Sequence, residues 1–235
     1  TMVSDGSADH LQGSAGWVIA ILDVRVVTGT CPVPGYDPRS YRAEGYGLLA
    51  GLLFLRHHCL YCQHLNQLPL LNMFCDNEGL VKKINKLSSF RLAPSTASLH
   101  SEYDVIITIH DLMSDMLTSP VIMHVKGHQD DNLDYEDLPL DAQLNCDADY
   151  EAVYHQTIYA KYRPTVPRIP TNGAQLQIQS ATVNSGYKTA ICNAFTAPAL
   201  CQQRMERNQW SAAMLDLVNF TSHKQALDRM SARHL

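Results

Sequence analysis

Residues 70–75 carry no charge, stop on Asp76, and pass at once into a pattern with Val81 and Ile84 inside and Lys82, Lys83 and Lys86 outside. This predicts a buried strand running into an amphipathic helix, with Asp76-Asn77 able to cap it. Ahead of it, residues 2–8 read as a short strand ending in Asp5-Gly6-Ser7. Residues 16–22 form an unbroken apolar run, expected of a strand buried on both faces. Val24, Val26 and Val27 around Arg25 predict a third strand over 24–28, and the close spacing predicts an antiparallel meander. Residues 29–39 hold Pro32, Pro34, Gly35 and Pro38 and predict a loop. Ser40 is then expected to cap a long helix with Leu48, Leu52 and Leu55 at helical spacing. Gly45, Gly47 and Gly51 would let its backbone approach a sheet, and Glu44 falls in its first turns.

After the strand ending at Asp76, residues 88–98 read as irregular. A helix is predicted over about 101–118, with Val105, Ile109, Leu112 and Met116 on one stripe. Pro120 stops it, and 121–125 is a further apolar strand leading into Lys126-Gly127-His128. An acidic loop runs to Asp141, and 142–159 predicts a helix carrying Asn145, Asp147 and Asp149. The order is β-β-β-α-β-α-α-β-α. It predicts an α/β fold with a mixed five-stranded sheet, three antiparallel strands then parallel ones, and flanking helices. Three prolines between 163 and 170 predict a linker. The expected division is a domain over 1–160 and a mainly helical C-terminal accessory lobe over 161–235. That lobe holds a strand over 176–183 and helix from about 187 to 230, interrupted near Pro198.

The 235 residues suffice for one large domain or a domain with an appendage, and a 46% hydrophobic content supports a sizeable core. A net charge of −5 argues against a surface built mainly to hold phosphates, though local charge matters more than the total. The seven cysteines are odd in number and scattered. Cys59 and Cys62 form a CxxC inside an apolar helical run with no second pair at zinc spacing, so they read as reduced thiols of an intracellular protein, cytoplasmic or nuclear. No apolar run has the length of a membrane span. The chain opens inside a predicted strand and is expected to be a segment of something longer.

Chemistry enters with the acids. Asp5 ending strand one, Glu44 early on the first helix, Asp76 ending strand four, and Asp147 or Asp149 on the helix after strand five would share one end of the sheet. Ligands of α/β folds sit beyond the C-terminal ends of strands. Clustered carboxylates raise one another's pKa and are stable together only with cations bound. Oxygen-only ligands select Mg²⁺ or Mn²⁺, and two such ions about 3.5–4 Å apart suit in-line displacement at phosphorus. Each acid also has a plainer role open to it. Asp5 could end a strand in a turn, Asp76 could cap a helix, Glu44 could meet a helix dipole, and His128 could be an ordinary loop histidine.

Asp5-Gly6-Ser7, Gly16-Trp17-Val18, Ser40-Tyr41-Arg42-Ala43-Glu44, Asp76-Asn77, Val125-Lys126-Gly127-His128 and Asn145-x-x-x-Asp149 together resemble the ordered motifs of ribonuclease H. The wording is most similar to the domains that follow reverse transcriptases in retroelements, and the likeness covers about residues 2–155. The resemblance implies cleavage of the RNA strand of an RNA·DNA hybrid by two Mg²⁺ or Mn²⁺ ions, leaving a 3′-hydroxyl and a 5′-phosphate. It implies Asp5, Glu44, Asp76 and Asp149 as metal ligands, and His128 as a proton-transfer or product-release residue. Substrate contacts would fall to Ser7, Asn77 and Asn145, with Asn77 at the RNA 2′-hydroxyl. An upstream reverse transcriptase in the same polyprotein is the expected partner besides the hybrid. Two features depart from the pattern: the long loop with Asp130, Asp131, Asp134, Glu136, Asp137 and Asp141, and a basic cluster limited to Lys82, Lys83, Lys86 and Arg91. Both predict weak hybrid binding by the segment alone. The alternative is a catalytically silent structural or nucleic-acid-binding module, against which the four intact acids argue. An exonuclease with Asp-x-Glu on strand one fits worse because residue 7 is Ser, and an integrase lacks an acid on the first helix.

Overall fold

The computed structural model describes residues 1–8, 13–34, 39–62, 70–88, 101–116, 120–159, 176–178, 181–183 and 185–217. The expected irregular stretch after Ser88, the linker 163–170 and the tail beyond 217 lie outside the described residues. The chain divides into two compact units, Thr1–Ser185 and Gly186–Leu235.

The first unit is built on a five-stranded sheet in the order β3-β2-β1-β4-β5. β1 (Met2–Ala8), β2 (Gly13–Ile21) and β3 (Val24–Val33) form the antiparallel meander. β4 (Asn72–Cys75) and β5 (Val121–His124) add in parallel to the β1 side. This is the mixed sheet expected of a ribonuclease H-like fold.

Strand alternation splits the core in two. Met2 of β1 and Met73 and Cys75 of β4 belong to the larger cluster. There they meet α1 (Ser40–Tyr61), α2 (Glu78–Ser88) and α3 (Tyr103–Asp115). Val3, Val18 and Ala20 meet Leu144 and Ala148 of α4 (Leu140–Tyr159) in the smaller one, with Phe74 packed against it. Small residues set how close the helices come. A Cβ on Gly6 would lie 2.3 Å from Ala43 C and Glu44 N, and one on Gly16 would lie 2.2 Å from Ala148 O. Both helices therefore rest on bare sheet backbone at those points.

Several boundaries differ from expectation for physical reasons. β2 and β3 turn at Leu22 and Asp23, both with positive φ, as a two-residue hairpin demands. Leu22 is accordingly 92% exposed and does not continue a buried strand. β3 does not end at Thr28 but runs to Val33. Its Gly29 lies under the Trp17 ring, and Pro32 is tolerated because β3 is an edge strand. Arg39 occupies the N-cap of α1 where Ser40 was expected, its side chain making no capping hydrogen bond to the helix. β5 is an edge strand with Val121 exposed, not a wholly buried one. The expected strand 176–183 is a short hairpin of β6 (Leu176–Ile178) and β7 (Ala181–Val183). It falls within the first unit, so the unit boundary comes later than the expected 160/161.

The second unit holds α5 (Tyr187–Ile191), a π-helical turn over Cys192–Thr196, α6 (Ala197–Asn208) and α7 (Ala212–Asp216). Pro198 sits in the first turn of α6, where a missing N–H is harmless.

Candidate metal-binding active site

The acids meet beside the end of β4, against the middle of β1, which does not end at Asp5 as expected but stays paired with β2 to Ala8. Asp5 shares the parity of Val3 and so projects toward the α4 side of β1. Asp76 follows Cys75 directly, in the turn beyond the end of β4. Glu44 belongs to α1 on the other face and reaches the same end because Gly6 has no side chain to hold the helix off. Asp5 is 6% and Glu44 4% exposed. Asp5 Oδ1 accepts a hydrogen bond from Gly6 N at 2.6 Å, and Asn145 Nδ2 donates to Asp5 Oδ2 at 3.4 Å. The buried thiol of Cys75 donates to Glu44 Oε2 at 3.6 Å. One ligand atom each from Glu44, Cys75 and Asp76 lie within 4.8 Å of one another.

Electrostatics agree with the distances. Burial first, and then the Asp76 charge, push the Asp5 carboxyl up to about 7, with the Gly6 N–H opposing and Asp149 adding to the rise. Glu44 is raised well above the ordinary range, again by burial and then by Asp5 and Asp76. Negative groups withdrawn from water this way are held by shared protons or by cations.

The fourth acid is separated from its neighbour by α4. Gly16 pairs with Asp5 across the sheet, and Ala148 rests on Gly16. That sets Asp149 beside the cluster: its carboxyl is raised by burial, lowered by His128, and raised again by Asp76 and Asp130. Asp147 faces elsewhere. It pairs with Arg25 of β3 and accepts from Tyr135 Oη at 2.7 Å.

Of the other expected residues, His128 is exposed, with a left-handed backbone, on the loop after β5. Asn77 Oδ1 accepts from Leu80 N at 3.1 Å, so Asn77 and not Asp76 caps α2. Ser7 Oγ donates to Gln156 Oε1 of α4 at 2.5 Å. Asn145, expected at the substrate, is buried against Asp5, and its Oδ1 has no hydrogen-bond partner among the described residues.

Three residues of the site escaped sequence reasoning. Cys75 is one; it was legible as the inward residue before Asp76, but nothing showed that Glu44 comes round to it. Gly127 is the second: a Cβ there would lie 2.6 Å from Asp76 Oδ2, so the glycine leaves room for that carboxylate. Arg42 is the third. Buried, it binds Glu102 at 2.5 Å, Asp104 at 2.9 Å and the Pro34 carbonyl at 2.5 Å, which ties the start of α1 to α3 and to the end of β3.

No protein-family model matches the sequence, and no curated protein matches it. Solved structures do. LC11-RNase H1 in complex with an RNA/DNA hybrid is 13% identical, over 65% of this chain and 93% of that one, with a TM-score of 0.46. The PFV RNase H domain in solution is 16% identical over 67% and 93%, with a TM-score of 0.49. The protease-reverse transcriptase of Prototype Foamy Virus is 16% identical over 67% of this chain and 20% of that one, at 0.46. The fold assignment rests on the strand order, directions and register themselves.

Proposed function

We propose that this chain is a metal-dependent endoribonuclease that cleaves the RNA strand of an RNA·DNA hybrid, in the service of a reverse transcriptase upstream. The observation that supports the reading is the convergence of Asp5, Glu44 and Asp76, two of them buried, at one end of a ribonuclease H-like sheet. The donor set fits hard divalent cations: carboxylates whose proton affinity is raised by burial and mutual repulsion give that strain up when a cation replaces the protons.

In this reading Asp5, Glu44, Asp76 and Asp149 hold two ions, Mg²⁺ or Mn²⁺. Bound there, such ions supply an activated water and neutralise charge on the phosphodiester. The chain's own residues do the rest. Asn145 Nδ2 fixes the orientation of Asp5. Asn77, its oxygen engaged in capping, has its amide nitrogen to offer the RNA 2′-hydroxyl. Ser7, whose proton goes to Gln156, can meet the substrate only as an acceptor. His128, exposed beside Asp149, gives a proton to the departing 3′-oxygen.

The test is the chain with Mg²⁺ or Mn²⁺ on a labelled RNA paired with DNA, alongside the same RNA paired with RNA. Cleavage of the hybrid alone is expected, with 3′-hydroxyl and 5′-phosphate ends. Asp76→Asn should abolish it while leaving the metal-free melting temperature equal or higher, since one repelling charge is gone. Hybrid binding without cleavage at saturating metal would replace this reading by the silent binding module.

A further inference from the structure

We propose that His124 is a positioning residue for the cluster: by its hydrogen bond to the Asp76 carbonyl it holds Asp76 in place against the other acids. The inference rests on the metal-binding reading of those acids and adds to it the residue that keeps one ligand where the ions need it.

The three acids are not supported alike. Asp5 lies inside β1, paired with Gly16 of β2, and Glu44 lies inside α1. Asp76 belongs to neither a strand nor a helix. The pairing of β4 with β5 ends at Cys75 and His124, and the hydrogen bonds of α2 take up at Asn77, whose carbonyl accepts from Val81 N–H at 3.1 Å. Asp76 stands between them in a bend, half-buried. Its charge acts on both Asp5 and Glu44, and the repulsion is mutual. Of the three it is therefore the one most easily driven outward.

β5 and the loop after it close on this residue from two ends. Val125 N–H donates to the Cys75 carbonyl at 3.1 Å, and the His124 ring extends that tie by one residue, with Nε2 3.0 Å from the Asp76 carbonyl oxygen. Gly127, three residues on, leaves the space that the Asp76 carboxylate fills. A carbonyl only accepts, so Nε2 carries the proton, and the neutral Nε2–H ring and the imidazolium serve equally. The role needs no charge. With its carbonyl tied to β5, the main chain of Asp76 is kept from swinging, and the Cβ that bears the carboxylate is set with it. Losing the partner that orients a metal ligand costs roughly 10–100-fold in metal affinity. The bond lies at the surface, so water can take the donor's place and the fold itself loses little.

The experiment is calorimetry of the metal-free full chain with Mg²⁺, on the wild type and on His124→Leu, His124→Gln and His124→Asn. Leucine fills the site without a donor. Glutamine carries its amide nitrogen as many bonds from Cβ as Nε2, whereas asparagine falls a bond short. His124→Leu should weaken Mg²⁺ about tenfold, with a melting temperature and a metal-free affinity for a labelled hybrid close to wild type. His124→Gln should restore most of the loss, and His124→Asn should not. Imidazole nitrogen spectra of the wild type in alkaline buffer should show His124 protonated at Nε2. The proposal falls if His124→Leu binds Mg²⁺ as tightly as the wild type, if His124→Gln recovers no more than His124→Asn, or if the neutral ring carries its proton on Nδ1. It falls too if the leucine variant loses hybrid affinity while keeping Mg²⁺, which would make His124 a substrate contact. The glutamine and asparagine variants decide the matter if the leucine variant does not fold. The two readings fail differently. A wild type that binds no Mg²⁺ removes the metal site itself, whereas Mg²⁺ bound alike by wild type and His124→Leu removes only the role of His124.

Discussion

Asp147 and Asp149 stand two positions apart on α4, about 200° around the helix, and meet opposite surroundings. Asp147 is satisfied by Arg25 and Tyr135. Asp149 feels Asp76 and His128 across the site. Asp149→Asn should therefore cut the single-turnover cleavage rate by about 10²-fold or more, as removal of a charge clamp on a developing phosphoryl transition state does, while Asp147→Asn changes it little. The reverse order of rates would move the fourth ligand to Asp147. Asp5 adds a prediction in pH. Its carboxyl titrates at about 7 in the fold against an ordinary 3.8, so the folded state holds the proton more tightly than the unfolded state. The sign follows: without metal, stability is highest below about pH 4 as far as this group is concerned, and is lost as pH rises through 7. The upper bound is on the order of 4 kcal/mol. In a chelator, Asp5→Asn should match the wild-type melting temperature near pH 4 and exceed it above pH 7. Mg²⁺ should raise the wild-type melting temperature more at pH 8 than at pH 5. A stability difference between the two proteins that is flat across this range would show that Asp5 is not strained.

At the scale of elements, the site depends on helices laid directly on glycine. Gly6→Ala would drive a methyl into Ala43 and the Glu44 backbone. It should cost about 1–3 kcal/mol by overpacking and displace Glu44, so that chemical denaturation shifts and metal affinity falls together. A normal metal titration in a destabilised but folded variant would detach Glu44 from the ligand set. The glycines explain what could be read beforehand. Hydrophobic periodicity located β1, β4 and α1 to α4, because burial on one face leaves a periodic record. It missed the continuation of β3 through Gly29 and Pro32. There the strand is held by pairing to β2 and by the Trp17 ring, and neither leaves a pattern in the local residues. Asp76 could be picked out because it follows a strand, and Glu44 because it lies in the first turns of a helix. Cys75 and Gly127 could not, since their place beside Glu44 and Asp76 depends on how α1 and the loop after β5 converge from opposite sides.

At the scale of the molecule, every proposed ligand lies in Thr1–Ser185, and that unit extends past the helix that supplies Asp149. Its last described strands are short, yet Ile178 and Val183 are buried, and Glu102, which grips Arg42, is also hydrogen-bonded by Ser185. Ser185, two residues past β7, is thus part of what steadies the start of α1, from which Glu44 projects. Two truncations separate the hairpin from the helical unit that follows it. A chain ending after Ser185 should melt cooperatively, bind Mg²⁺ and cleave the hybrid at a rate close to that of the full chain. A chain ending near residue 160 forfeits two buried aliphatic side chains, worth about 1.5–3 kcal/mol each. Its melting temperature should drop on the order of 5–10 °C, and its metal affinity should fall as the Arg42–Glu102 pair loosens. Equal melting temperatures for the two truncations would show the hairpin to be dispensable. Loss of cleavage in the longer one, with its fold and metal binding intact, would assign part of the activity to Gly186–Leu235.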